Sequence, residues 1–474
     1  VSAIWKDERS AEETLSETEG RCIATSAPDV LAPHLFVALE CDRPQAGVTR
    51  HSLANIDRVL LARGSVRESD RSFEGGERTL TVRIPDARMS SRHASLLREG
   101  INFAALDLDS RNGTLVNGTR IVAPTLLADG DLIQVGHTIL RYRVAVSVPL
   151  GEPADVDSAK VKQMGPLATI DPSLARRGEV LGRVAASLSP VLLLGETGTG
   201  KEVLARAIHR LSGRSGPFVA INCGALPATL LEAQLFGHVR GAFSGALTDS
   251  PGLLRSADRG TVLLDEIGDL PAPAQAALLR ALQEHEVLPV GGVRPVKVDL
   301  RILAATHRPL EKLVASGEFR SDLFARLAGF TFSLPPLRSR PEDIGLLVAD
   351  FVKGRKICFT TGAGRAVLSH DWPLNIRELY QALAVAATLA GEQAIDVAHL
   401  APAVPECVAH RPSPTPSLAP HDPLREQLIA SLARHDGNIS AVARELGKAR
   451  MQVRRWTRRF GIDPCSFRRP NGRL

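Results

Sequence analysis

Residues 191–202 read VLLLGETGTGKE, and no other stretch constrains the fold as tightly. Four apolar residues suited to a buried strand pass directly into Gly195, Gly198 and Gly200, then Lys201, and a helical run follows over 203–211. Glycines let the backbone curl so that successive N–H groups point at an anion. The lysine adds a point charge, and the following helix offers its positive end. Strand, loop and helix in that order predict a nucleotide phosphate-binding loop in an α/β domain. Its contacts are Gly195, Glu196, Thr197, Gly198, Thr199, Gly200, Lys201 and Glu202, with Glu202 standing where a Mg²⁺-binding Ser or Thr is usual.

Downstream, GTVLLDE at 260–266 is an apolar strand ending in two carboxylates. Behind a phosphate loop, that pattern assigns Asp265 to Mg²⁺, through water, and Glu266 to polarising the attacking water. The next apolar strand, 299–306, ends in Thr306 and His307, polar groups placed to sense a γ-phosphate. ATP and Mg²⁺ are therefore the expected cofactors. Helical and strand-like runs alternate from 166 to 400, the pattern of a parallel sheet.

A chain of 474 residues has room for about three domains. Residues 1–30 lack apolar periodicity and read as a disordered, acidic leader rather than a signal peptide. From residue 31 to 147, short apolar or alternating runs at 35–41, 58–63, 80–84, 94–97, 103–108, 132–135 and 139–144 predict a β-sandwich. A polar linker spans 148–165 and a proline-rich one 405–421. Residues 422–474 read as helical and hold 12 Lys and Arg against 5 Asp and Glu, a net of +7 that leaves the rest of the +6 chain near neutral, as expected of a terminal DNA-binding module. The six cysteines are scattered without CxxC spacing, which fits a reducing cytoplasm and no zinc site. No run is long and apolar enough to span a bilayer, so no membrane partner is expected.

Three polar clusters mark the sandwich: Arg63-Gly64, Ser90-Ser91-Arg92-His93, and Ser110-Arg111-Asn112-Gly113-Thr114 with a second turn at Asn117-Gly118. Asn-Gly pairs by themselves only make hairpins. In this order on a strand-rich stretch they resemble the forkhead-associated domain, which binds phosphothreonine through loops at one end of its sandwich. That resemblance implies Arg63, Ser90, Ser91, Arg92 and Asn112 as contacts to a phosphothreonine-containing protein, with His93 shaping the loop. Ala62 departs from the Gly usual before the loop arginine.

The centre resembles the AAA+ domain of bacterial enhancer-binding proteins, the activators of sigma-54 RNA polymerase. It does so through GETGTGKE at 195–202, FVAINC at 218–223, GAFSGA at 241–246, GTVLLDEIGDL at 260–270, GEFR at 317–320, DLFARL at 322–327, PPLRSR at 335–340 and WPLNIREL at 372–379. Glu at position 202 belongs to that family. The resemblance implies an ATPase core over 166–336, a helical lid over 337–404 and assembly into a homo-oligomeric, hexameric ring. Asn222 is implied as a switch on Glu266, Arg320 and Arg326 as fingers against a neighbouring subunit's γ-phosphate, and Arg377 as the lid sensor. The resemblance further implies Gly241, Ala242, Phe243, Ser244, Gly245 and Ala246 as the loop that touches sigma-54, with Ser244 replacing the usual Thr.

At 438–460 two helical runs joined near Gly447 match helix-turn-helix recognition and resemble the Fis-type module. Arg450, Gln452, Arg454, Arg455, Arg458 and Arg459 are the candidate contacts to upstream promoter DNA. The chain thus reads as a multidomain protein, β-sandwich, α/β ATPase with helical lid, and all-α terminal module. The expected function is ATP-dependent activation of sigma-54 promoters under phosphothreonine control. The alternative is a phosphopeptide-binding, DNA-bound repressor or scaffold whose ATPase only gates assembly.

Overall fold

The structure is a computed structural model that describes residues 29–159, 167–225, 227–243 and 245–403, together with parts of 431–446. The N-terminal strands run in chain order as β1 (Val30–Glu40), β2 (Thr49–Ser52), β3 (Arg58–Arg63), β4 (Glu68–Glu74), β5 (Glu77–Ile84), β6 (Ala94–Glu99) and β7 (Asn102–Asp107). They continue as β8 (Thr114–Val116), β9 (Thr119–Arg120), β10 (Thr125–Leu126), β11 (Leu132–Val135), β12 (Thr138–Val148) and β13 (Asp155–Asp157). One sheet has the order β13-β2-β1-β12-β11-β8-β9 and the other β10-β7-β6-β3-β5-β4. Leu35, Val59, Leu80, Phe103, Ile133 and Tyr142 fill the space between them.

Each of the seven apolar runs seen in the sequence is a strand, and six further strands join them. Part of the stretch read as linker is one of the six: β13 pairs with β2, and Asp155 accepts from His51 and Arg71 at 2.7 and 2.6 Å. β1 is buried almost throughout, on both faces. A strand of an ordinary antiparallel sandwich alternates buried and solvated residues, so this run signals that something covers the outer sheet.

The second fold centres on a parallel sheet. Its strands are β14 (Val191–Leu194), β15 (Phe218–Asn222), β16 (Thr261–Asp265), β19 (Arg301–Thr306) and β20 (Phe330–Ser333), with a small hairpin of β17 (Glu286–Val287) and β18 (Val296–Lys297) beside it. The order is β15-β16-β19-β14-β20, all parallel. β14, β16 and β19 are near-continuous apolar runs because helices cover both faces. The Pro172–Ala185 helix starts at an Asp171 cap that accepts from Leu174 N at 2.6 Å, with Pro172 at its first position. Open parallel sheets place ligands beyond the carboxyl ends of their strands. The phosphate loop, Asn222, Asp265 and Thr306 all lie there.

Helices Ile344–Phe351, Thr361–Ser369, Asn375–Ala390 and Val397–Leu400 form a lid around the fully buried Trp372. Its apolar core is continuous with sandwich residues Ala38, Leu39, Cys41, Leu132 and Ile139. A second unit comprises residues 413–474. There the Ile439–Glu445 helix is described, Leu432 and Val442 are buried, and Glu445 accepts from Ser431 and His435 at 2.5 and 3.0 Å.

Candidate functional site

The phosphate loop leaves β14 through Gly195, Gly198 and Gly200, all at positive φ. Gly198 carries the strongest demand, since a Cβ there would collide with the Leu374 carbonyl of the lid. The lid is bonded to the loop at several points. Ile376 N donates to Gly198 O at 3.0 Å, Asn375 Nδ2 to Thr197 O at 3.0 Å, and Arg340 Nη2 to Thr199 O at 3.2 Å. Arg338 grips the Glu196 carboxylate with two nitrogens, at 2.5 and 2.8 Å, and with Asn375 holds that carboxyl down to about 2. Lys201 is buried and donates to Gly195 O at 2.8 Å and Glu196 O at 3.2 Å, and burial lowers its pKa. Arg377 is exposed beside the loop, close enough for its charge to act on Lys201.

Asp265 ends β16 in register with Asn222 on β15. Burial first, and the neighbouring Glu266 second, push the Asp265 carboxyl up. Glu266 sits in the left-handed region at φ 52°, an unusual conformation for a side chain of this size and one that functional sites favour. Its carboxylate accepts from His307 Nδ1 at 2.7 Å and lies 3.9 Å from Lys201 Nζ. Asn222 instead accepts from Gly224 N at 2.9 Å. Thr306 is fully buried and its hydroxyl oxygen accepts from Arg308 N, so His307 is the polar end of β19 that reaches Glu266. Two adjacent carboxylates facing a buried ammonium and a glycine loop fit a nucleotide and its divalent cation. Asp265 would hold the cation, and its charge would relieve the Asp265–Glu266 repulsion.

The two candidate finger arginines lie apart from this cluster. Arg320 is exposed and forms a two-point pair with Asp322, at 3.0 and 2.7 Å. Arg326 donates to Leu282 O at 3.3 Å. Among the described residues neither bonds the phosphate loop of its own subunit. Gly241 N donates to Ala246 O at 2.9 Å, and Ala246 N to Phe243 O at 3.1 Å. Gly241 and Gly245 take φ values of 83° and 109°, and Phe243 is 38% exposed with its ring 5.0 Å from that of His238. Ser244 lies outside the described residues, as do Arg450, Gln452, Arg454, Arg455, Arg458 and Arg459.

At one end of the sandwich the three polar clusters meet. Arg63 N donates to Ser90 O at 3.0 Å, and Arg111 N to Ser90 Oγ at 3.1 Å. The buried His93 accepts from Ser90 N at 3.0 Å through Nδ1 and reaches Gly113 O at 3.2 Å with its other nitrogen, tying the two loops together. Asn112 donates to Arg88 O at 2.6 Å. Asp107 anchors the second loop by accepting from Ser110 and Thr114 at 2.7 and 2.6 Å. The side chains of Arg63, Ser91, Arg92 and Asn112 remain at the surface, where two guanidinium groups can meet an anion.

Arg338, Asn375 and the His307–Glu266 bond had no role assigned from sequence. Their only signal was position within two motifs, PPLRSR and WPLNIREL, and at the end of a strand. Among the described residues there is no helix long and apolar enough to cross a membrane.

Comparison with known families matches the Sigma-54 interaction domain to residues 167–333, the FHA domain to 72–136 and the AAA+ ATPase lid domain to 338–416. The acetoin catabolism regulatory protein of Cupriavidus necator is 43% identical over 329 residues, covering 66% of this chain and 49% of its own. The chain thus spans about half the length of that relative. The anaerobic nitric oxide reductase transcription regulator NorR of Aeromonas salmonicida is 36% identical over 395 residues, or 76% of each chain. A crystal structure of NtrX from Brucella abortus in complex with ATP is 32% identical, covers 64% of this chain and 71% of its own, and superposes with a TM-score of 0.46.

Proposed function

The chain belongs to the family of sigma-54-dependent transcriptional regulators, and on that premise we propose that it is an ATP-driven activator that remodels sigma-54 RNA polymerase closed complexes. The observation that carries the reading is the cluster of Lys201, Asp265, Glu266 and His307 under a lid that bonds the phosphate loop. ATP with Mg²⁺ supplies the phosphoanhydride bond and the charge neutralisation that its cleavage needs. Lys201 binds phosphate oxygens, and Asp265 would hold the metal. Glu266, its carboxylate held by His307, orients the attacking water. Arg320 and Arg326, absent from their own subunit's pocket, act on a neighbour's nucleotide, so turnover requires a ring. Asn222, one strand from Asp265, acts on Glu266 as nucleotide state changes.

Hydrolysis drives the Phe243 turn against sigma-54, an exposed aromatic between two glycines being suited to a moving contact. The Arg63 and Arg92 end of the sandwich reads a phosphothreonine, and the basic terminal block, through the arginines and Gln452 at 450–459, tethers the protein to upstream DNA. The test is open-complex formation on a sigma-54 promoter with ATP. Lys201→Ala, Glu266→Ala and Arg326→Ala should each abolish it, and failure of the wild-type protein to open such a promoter would overturn the assignment.

A further inference from the structure

The outer face of the seven-stranded sheet is packed against the lid. Along β1, Leu35 and Val37 point into the sandwich while Phe36 and Ala38 point out, and a bulge between Val37 and Leu39 turns Leu39 outward as well. Ala38, Leu39, Cys41 and Ile139 share one apolar core with Ile344, Val348 and Phe359 of the lid. Two lid glycines permit the approach. A Cβ on Gly345 would overlap the Ala38 carbonyl, and one on Gly364 would lie 2.8 Å from Cys41 Sγ and 3.1 Å from Ile139 Cδ1. Polar contacts surround this core. Phe359 N donates to Cys41 O at 2.9 Å, Arg141 Nη2 to Leu368 O at 2.5 Å, and Arg143 pairs with the buried Glu342.

This interface lies between the two sites already described. On its sandwich side, the loop 110–113 enters β8, whose Asn117–Gly118 turn rests against Arg365 of the Thr361–Ser369 helix. Asn117 also accepts from Leu132 N at 2.9 Å, and Leu132 belongs to the shared core. On its lid side, Asn375, Ile376, Arg338 and Arg340 bond the phosphate loop. Arg340 pairs with Asp343, directly after Glu342, at 3.6 Å. The ligand loop, the shared core and the nucleotide loop are therefore joined by close-packed and hydrogen-bonded groups, not by a flexible tether.

We propose that the sandwich is a structural wall of the lid, and that a ligand at its Arg63–Arg92 end changes nucleotide affinity within the same subunit through this interface. The identity of that ligand rests on the phosphothreonine reading above; the coupling does not.

The test uses the full chain and a fluorescent ADP analogue. Arg143→Glu sets a carboxylate against Glu342 at the interface, and against Asp129 within the sandwich, and Glu342→Arg added to it restores opposite charges across the interface. The single variant should shift the ADP dissociation constant by about fivefold or more, the low end of measured site-to-site couplings, and the double variant should return it toward wild type. Gly364→Leu, a wedge of different chemistry, should shift it as well. Wild-type affinity in both Arg143→Glu and Gly364→Leu would overturn the proposal, and so would a shift that Glu342→Arg fails to reverse. In a separate arm, a degenerate phosphothreonine peptide pool is added to wild type and to Arg63→Ala. A pool that binds wild type and changes its ADP affinity, with both effects lost in Arg63→Ala, supports the coupling, and binding without any change overturns it. If the pool does not bind at all, the phosphothreonine reading falls, and the charge-swap arm alone decides the coupling.

Discussion

The Glu266 carboxylate has two neighbours of unequal reach, His307 Nδ1 at 2.7 Å and Lys201 Nζ at 3.9 Å. With its backbone in the left-handed region, Glu266 depends on such partners to keep its carboxylate aimed into the site. His307 is the nearer one, and it stands on the end of a fully buried strand, so its own position is well defined. Replacing it with alanine should leave ATP binding almost intact, because Lys201 and the loop amides are untouched. It should lower kcat by about 10- to 100-fold, the scale expected when a reacting group is misplaced by about 1 Å. Asparagine, which keeps a donor on a shorter side chain, should recover part of that loss. Steady-state ATP hydrolysis separates the two parameters. A rise in KM with unchanged kcat would mean that His307 contacts nucleotide rather than Glu266.

Among elements, the segment at 372–377 is where the lid is bonded to the phosphate loop. Trp372 and Asn375 both take positive φ, at 53° and 60°, and Asn375 is buried. Asn is one of the few side chains that tolerates this conformation, and here it also accepts from Leu337 N at 2.7 Å and donates to Thr197 O and Glu196. Asn375→Ala should leave these partners unmatched at about 1–3 kcal/mol each where buried. A thermal melt should show Tm lowered by about 3 °C or more, and nucleotide affinity should fall with it. None of this was readable from the chain, since Glu196 and Arg338 are 142 residues apart and Thr197 and Asn375 are 178 apart. The strands were readable where they are long enough and their buried residues are apolar, whereas β2, reading TRHS, is buried but polar. β14, β16 and β19 declare themselves as apolar runs, and seven of the sandwich strands as apolar or alternating ones. β4, reading ESDRSFE, has no buried residue, and β9, β10 and β13 are two or three residues long, so neither hydrophobic period nor length marks them. The glycines of the phosphate loop were legible because their spacing is itself the chemistry. The interface glycines, Gly345 and Gly364, were not, because what they accommodate comes from another domain.

For the molecule as a whole, burying β1 on both faces places a titratable group where water does not reach. His34 on that strand is 2% exposed and bonds Ala32 O at 2.9 Å through Nδ1. Burial is the main cause that lowers its pKa from 6.5 to about 4, and the neighbouring Arg50, Arg71 and His51 act in the same direction. The folded protein therefore prefers neutral imidazole, whereas the unfolded chain protonates near pH 6.5. Its contribution is complete above pH 6.5, declines as pH falls from 6.5 to about 4, and changes no further below that. Over the window the loss is of order 3 kcal/mol at most, taking about 1.4 kcal/mol per pKa unit. Asp343 works in the opposite sense. Its carboxyl is pushed up to about 6 by burial, so the folded state binds its proton first and gains stability as pH falls from about 6 toward 3.8. A single acid melt of the wild-type protein mixes these two trends, and the difference between wild type and His34→Gln isolates the first. That difference, followed by denaturant unfolding between pH 7 and pH 4, should narrow steadily toward acid, because only the wild type has a proton to lose on refolding at residue 34. A constant difference across the range would mean that His34 is solvated in the folded protein.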